Sequence, residues 1–228
     1  MANYSLKYGI DIVFCIDCTN SMNAHLDRIK RSILKFVNDV HDDLLSKACN
    51  IGEMRVKLIA FRDYIVNKEH AMLLTDFYTL PTEFKAFERD LFSLTTKGGG
   101  DECEDGLEAL AYAIRSKWSY EWMRRRQVIV VWSDAETHPL RHGESCEFYP
   151  KGMAENFQEL ALWWGDHDHP GCMDEGAKRL VLFTPDTPNW NTISQNWSNV
   201  LHFPSEAGVG MTNEEFREIL GIITSPDL

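Results

Sequence analysis

The chain has 228 residues, 44% of them hydrophobic and 25% charged, and its 35 acidic against 23 basic side chains leave a net charge of -12. That length suits one large domain or two small ones with a real core. The negative balance argues against nucleic acid or an anionic membrane as main partner and is compatible with a bound cation. No apolar run approaches the roughly 20 residues of a membrane-spanning helix, and the N-terminus leads almost directly into a strand, without a basic-then-apolar signal; a cytoplasmic location is expected. Cys15, Cys18, Cys49, Cys103, Cys146 and Cys172 are too scattered for a disulfide framework and are read as free thiols.

In chain order, Ile12 to Ile16 is an apolar run of buried-strand length that stops on an acid, Asp17, with hydroxyls at Thr19 and Ser21. From Ser21 to about Lys47 apolar residues recur at spacings of three and four, which predicts a long amphipathic helix. Arg55 to Phe61 reads as a strand, and Ala71 to Thr75 as a short neighbour reached through a polar turn. A helix is expected after Pro81 through Phe84, Phe87, Leu91 and Leu94. Next comes "GGGDECEDGLEAL", a flexible loop feeding a helix, with Asp101 as N-cap and Glu104 three residues on.

The run Val128 to Trp132 repeats the opening design, a buried strand with an acid, Asp134, just past its end. Residues 139–177 are irregular, with one helix expected at Ala154 to Trp164, and are treated as an elaboration on the core of a single domain spanning 1–228. A strand at Arg179 to Phe183, a helix at Trp190 to Trp197, a strand at Val200 to Phe203 and an acidic helix from Thr212 to about Ile222 complete the chain. Strands alternating with helices predict an α/β sheet with helices on both faces.

In an open parallel sheet, ligands bind beyond the carboxyl ends of the strands, where the strand order reverses. If the strands ending at Asp17 and Asp134 are neighbours, their carboxylates meet Thr19, Ser21 and the Gly-rich acidic loop at one rim, where the acids repel each other and a cation would remove the cost. Carboxylates and hydroxyls without adjacent thiolate or imidazole are hard oxygen donors, suited to Mg2+ or Mn2+.

The "D-C-T-N-S" at Asp17 to Ser21 resembles the D-x-S/T-x-S motif of the metal-ion-dependent adhesion site (MIDAS) of von Willebrand factor A (vWA) domains. "GGGDECEDGLEAL" resembles that family's Gly-rich acidic loop, and "VVWSDAETHP" its later strand ending in a liganding aspartate. The resemblance covers nearly the whole chain in element order. It implies a Rossmann-like, open, mostly parallel six-stranded sheet with the metal at its top, held by Asp17, Thr19 and Ser21, with Asp134 acting directly or through water. It also implies a non-catalytic, intracellular protein-interaction role, as scaffold or recruiting subunit of a multiprotein system.

One position departs from the pattern, since Glu104 stands where the adhesion site has threonine, with Asp101 also in reach. Either carboxylate would add negative charge and lessen the metal's need for an acidic ligand from a partner. Asp101 and Glu104 equally fit a plain capping box.

A strand ending in an acid also describes the nucleophile loop of haloacid-dehalogenase-type phosphatases, with Asp17 as nucleophile, but the proton-shuttling second acid of D-x-D is replaced by Thr19. Neither a P-loop nor a dinucleotide fingerprint is present. His138, His142, Cys146, His167, His169 and Cys172 offer soft ligands for a structural zinc, yet their spacing matches no standard finger, and ordinary loop histidines are the preferred reading.

Overall fold

The computed structural model describes residues 7–46, 50–100 and 102–204, together with positions 219 and 221. The strands are β1 (Lys7–Asp17), β2 (Asn50–Phe61), β3 (Met72–Leu74), β4 (Tyr78–Leu80), β5 (Cys103–Glu104), β6 (Arg124–Trp132), β7 (Glu136–Thr137), β8 (Lys178–Phe183) and β9 (Val200–His202). The α-helices are α1 (Leu26–Ser46), α2 (Tyr64–Asn67), α3 (Phe84–Ser93), α4 (Gly106–Ile114), α5 (Phe157–Trp164) and α6 (Pro188–Asn196).

The main sheet runs β3-β2-β1-β6-β8-β9, with β4 also paired to β2. All pairings from β2 through β9 are parallel, while β3 and β4 pair antiparallel to β2. The sheet therefore has seven strands among the described residues, against the six expected from sequence. The addition is β4, whose three residues carry too few alternations for a period-two signal and are set by their register on Met54, Arg55 and Val56.

Strand β1 is buried along all but its first residue because helices cover both faces, which is why it reads as an apolar run and not as an alternation. Ile10, Ile12, Phe14 and Ile16 pack toward α1 and α3, whereas Val13 and Cys15 pack toward α4, α5 and α6. Beneath the rim on the α1 side, Phe14, Trp132, Phe183 and Phe203 form a row across the strands, with ring centroids 6.0, 5.3 and 5.3 Å apart. Such rings each contribute about 1.5–3 kcal/mol by burial, so the strand ends above them stand on a stiff floor.

Two helix starts differ from expectation. The long helix is preceded by a 3-10 turn, Asn20–Ala24, in which neither Thr19, Asn20 nor Ser21 makes a side-chain cap bond; α1 itself begins at Leu26. Helix α4 begins at Gly106, and Glu104, placed by the sequence in an Asp101 capping box, lies instead in β5. That strand is set by pairing with β7, and His138 N donates to Glu104 O at 2.9 Å. Thr137 Oγ1 meets the orphan N–H of Leu107 at 3.0 Å, a partner distant in sequence that a local motif does not reveal.

Helix α5 begins at Phe157, capped by Asn156, whose side chain accepts from Glu159 N at 3.0 Å. The expected helix from Thr212 lies outside the described residues apart from Ile219, buried on the α1 side of the core, and Gly221. Cys15, Cys18, Cys103, Cys146 and Cys172 are free thiols; Cys49 lies outside the described residues. No described helix is long and apolar enough to cross a membrane.

Candidate metal centre

Chain order turns back between β1 and β6: from β1 the chain steps to β2 on one side and returns to β6 on the other. The two strands are in parallel register through Ile16 and Trp132, so Asp17 and Asp134 emerge side by side at the reversal point. Asp17 ends β1 fully buried, Thr19 is buried beside it, Ser21 is exposed on the 3-10 turn, and Asp134 is half-buried two residues past β6.

These four side chains form a line of oxygens. Thr19 Oγ1 lies 2.7 Å from Asp17 Oδ1, Ser21 Oγ is 3.1 Å from Thr19 Oγ1, and Asp134 Oδ1 is 2.9 Å from Ser21 Oγ. Asp17 Oδ1 also accepts from Thr19 N at 2.9 Å, and its Oδ2 accepts from Ser133 Oγ at 2.7 Å. Three oxygen–oxygen contacts join Asp17, Thr19, Ser21 and Asp134, but with both acids ionised the two hydroxyls supply only two protons. If Thr19 donates to Asp17 and Ser21 to Asp134, the hydroxyl oxygens face each other lone pair to lone pair.

A proton on one carboxylate, or a cation, would relieve that approach. Burial pushes the Asp17 carboxyl up to about 6 from its ordinary 3.8, against the hydrogen bonds from Thr19 and Ser133, and the Asp134 charge adds to the rise. The donors are hard oxygens, buried at the Asp17 end and open to solvent at Ser21, a set that fits a divalent cation retaining water.

The loop closing this rim requires its glycines. Gly98 has φ +74, and a Cβ there would stand 2.0 Å from Asn67 Nδ2; Gly99 has φ +81, and a Cβ there would stand 2.9 Å from Glu104 Oε1 and 3.2 Å from Thr19 Cβ. The buried Glu104 carboxylate and Thr19 thus pack on the same glycine, which puts Glu104 at the margin of the oxygen line. Asp101 lies outside the described residues.

Sequence reasoning did not single out Ser133, Arg62 or Asp63. Ser133 is the hydroxyl preceding the second acid, and its position at a strand end was the available signal. Arg62 is buried and donates to Cys18 O at 3.0 Å, His70 O at 2.8 Å and Thr95 O at 2.6 Å, tying three loops behind the rim. Asp63 follows β2 as Asp17 and Asp134 follow their strands, but it is otherwise occupied. It caps α2 through Ile65 N and Val66 N and lies 3.3 Å from His138 Nε2.

The six His and Cys side chains considered for zinc are not gathered. His138 faces Asp63 and stacks on His142 at 3.9 Å, whereas His167 and His169 are exposed beside Asp168 and Asp166. Among the described residues, no three His, Cys, Asp or Glu side chains form a group able to hold a metal. The rim line brings together two carboxylates, Asp17 and Asp134, with two hydroxyls, Thr19 and Ser21.

The sequence model for the von Willebrand factor type A domain matches residues 11–159, a span holding β1 from Asp11 on, the 3-10 turn, the Gly-rich loop and Asp134. The chain belongs to this family. Alpha-protein kinase vwkA of Dictyostelium discoideum is 24% identical over 143 residues, 63% of this vWA chain, which spans only 21% of that relative's length. Proximal thread matrix protein 1 from the mussel byssus overlays on 96% of this chain and 46% of its own, with a TM-score of 0.51 at 13% identity. Another structure of that protein, with a zinc-occupied MIDAS motif, has a TM-score of 0.51 at 10% identity. These structural likenesses concern the fold.

Proposed function

We propose that this vWA domain binds a divalent cation through Asp17, Thr19, Ser21 and Asp134, with Glu104 alongside, and uses the ordered rim to recruit another protein without catalysing a reaction. The observation that carries the reading is the line of four oxygens with one proton too few. A cation there neutralises the two carboxylates and accepts the hydroxyl lone pairs. Hard oxygen ligands favour Mg2+ or Mn2+; the zinc-occupied motif of the mussel protein makes Zn2+ a third ion to test.

Apolar side chains beside the rim support a protein partner. Ile65 and Val66 on α2 are 47% and 46% exposed, and Val66 packs against Gly100 of the rim loop. This open apolar pair beside polar ligands is where a partner would gain apolar contact. With Glu104 close by, the cation's role is to order this surface more than to grip a partner's carboxylate.

The phosphatase alternative, with Asp17 as nucleophile, is disfavoured by its setting: both carboxylate oxygens accept hydrogen bonds and the residue is fully buried. Differential scanning fluorimetry with Mg2+, Mn2+ or Zn2+ should show a rise in melting temperature, by about 2.7 kcal/mol of stability at a hundredfold excess over Kd. Asp17→Ala should abolish it. A folded protein with no shift for any of the three ions defeats the metal site. Phosphatase turnover lost in Asp17→Asn defeats the non-catalytic reading, and a pull-down unchanged by chelator defeats the metal-ordered partner surface.

A further inference from the structure

A cavity of about 520 Å³ lies on the α4 face of the sheet, away from the rim. Its charged lining is Arg55, Lys57, Arg115, Lys117 and Lys151 with one acid, Asp76. On a chain of net charge -12, that is a local reversal of sign. Arg55 and Lys57 are two apart on β2, so both side chains point to the same face. Arg115 and Lys117 follow the end of α4, and Lys151 comes from the 139–177 segment.

Ordinary structural duties account for part of this charge. Arg55 is matched by Asp11, at 2.8 and 2.6 Å, and lies 3.7 Å from Glu53; Arg115 complements the negative end of the α4 dipole. The remainder is not matched in the same way. Lys57 is half-buried, donates to Ser116 Oγ at 3.1 Å, and is pushed below its ordinary value by burial; Cys15 and Asp76 oppose that shift and the nearby Lys117 charge adds to it. An anion between them would relieve both effects.

The guanidinium groups are also held in advance. Arg55 lies 4.6 Å over the Phe77 ring, and Arg115 lies 4.7 Å over Trp163 while donating to Gly152 O at 2.9 Å. Arg55 is already engaged by Asp11, whereas a fixed, planar donor in a concave wall such as Arg115 suits phosphate oxygens, because little side-chain freedom is lost on binding. The volume falls within the usual range for small-molecule sites and exceeds what a bare inorganic anion fills.

We propose that this basin binds a small phosphorylated organic molecule, held by Lys57, Arg115, Lys117 and Lys151. Bound there, the ligand links β2 and the end of α4 to the 139–177 segment, and so steadies that segment independently of the rim.

The full chain, kept in EDTA so that the rim stays free of metal, is titrated calorimetrically with pyrophosphate and with ADP. Saturable binding is expected, tighter for ADP than for pyrophosphate; equal affinity for the two overturns the organic part of the proposal. Lys117 and Lys151 are exposed, so the double variant K117E/K151E should fold normally and lose about a hundredfold in affinity, about tenfold for each reversed charge. K35E on α1, across the sheet, should bind as the parent does. No saturable binding of either probe at millimolar concentration overturns the proposal, as does undiminished binding by folded K117E/K151E. Displacement by an oligoglutamate peptide at lower concentration than either phosphate also overturns it, in favour of a peptide-docking surface.

Discussion

The rim at the ends of β1 and β6 and the segment from 139 to 177 both present metal-ligand residues in sequence, and they come out differently. At the rim, parallel register through Ile16 and Trp132 forces Asp17 and Asp134 together, and the D-x-T-x-S spacing brings two hydroxyls between them. In the segment, spacing along an irregular chain imposes no convergence. His167 and His169 sit beside the local acids Asp168 and Asp166, while His142 stacks on His138 apart from them. Ligand types count when a regular element fixes where they point; the same types in a loop do not by themselves make a site.

The segment is held by other means. Lys178, fully buried on β8, donates to Trp164 O at 2.7 Å and Gly165 O at 2.8 Å and pairs with Glu175. It therefore closes the C-terminal end of α5, while Trp164 stacks on Trp197 with centroids 5.6 Å apart. Tyr149 OH donates to the buried Glu108 at 2.8 Å, fastening the early part of the segment to α4.

The largest expected effect tests that assignment. Lys178→Met leaves two buried carbonyls and Glu175 without their cation, and should cost about 3–4 kcal/mol, read as a fall of roughly 10 °C in melting temperature. With the rim saturated in Mg2+, a zinc-selective chelator should leave the parent protein's melting unchanged. If chelation unfolds the protein and Lys178→Met does not, the contrast between the two regions is reversed.

The pH dependence of the metal-free rim comes next. Because the folded Asp17 value of about 6 lies above its ordinary 3.8, protonation favours the fold. That contribution is complete below pH 3.8 and is lost as pH rises through about 6, a change of about 3 kcal/mol. Denaturant unfolding in EDTA from about pH 4 to about pH 7, compared between parent and Asp17→Asn, isolates it. Saturating Mg2+ should offset the loss at the upper end. A difference between the two proteins that stays flat across the window breaks the account of the missing proton.

A smaller effect is expected from Ser21→Ala, which removes the hydroxyl between Thr19 and Asp134 but leaves both acids. Metal affinity should fall about tenfold or more, with little change in the metal-free protein, whose Ser21 is exposed. The smallest belongs to His167→Ala with His169→Ala, both on the surface. Stability should stay within about 0.5 kcal/mol of the parent, with or without zinc, and a larger zinc-dependent loss would restore the segment as a metal site.

Much of the fold was legible because its signals are local. The apolar runs of β1, β6 and β8 are buried on both faces, and the three-and-four spacing of α1 marks one covered side, so each declares itself within a few residues. What was missed depends on distant partners. Strand β4 exists by pairing with β2, and α4 starts after Glu104 because β5 pairs with β7 and Thr137 meets Leu107 N. Asp63, a third acid after a strand, looks in sequence like Asp17 and Asp134, but its carboxylate caps α2.

The sequence by itself determined the α/β class, the acid-ended strands and the hydroxyl spacing after Asp17, since each follows from side-chain periodicity within one element. Only the tertiary structure decided that Ser133 supplies Asp17 with a hydrogen bond, that Arg62 binds three loops, and that Lys178 closes α5. It alone gathered Arg55, Lys57, Arg115, Lys117 and Lys151 around one cavity. The reason is the same in each case. Periodicity encodes which face of an element is covered, whereas which polar groups meet across the sheet depends on strand order and register, which no single stretch of chain contains.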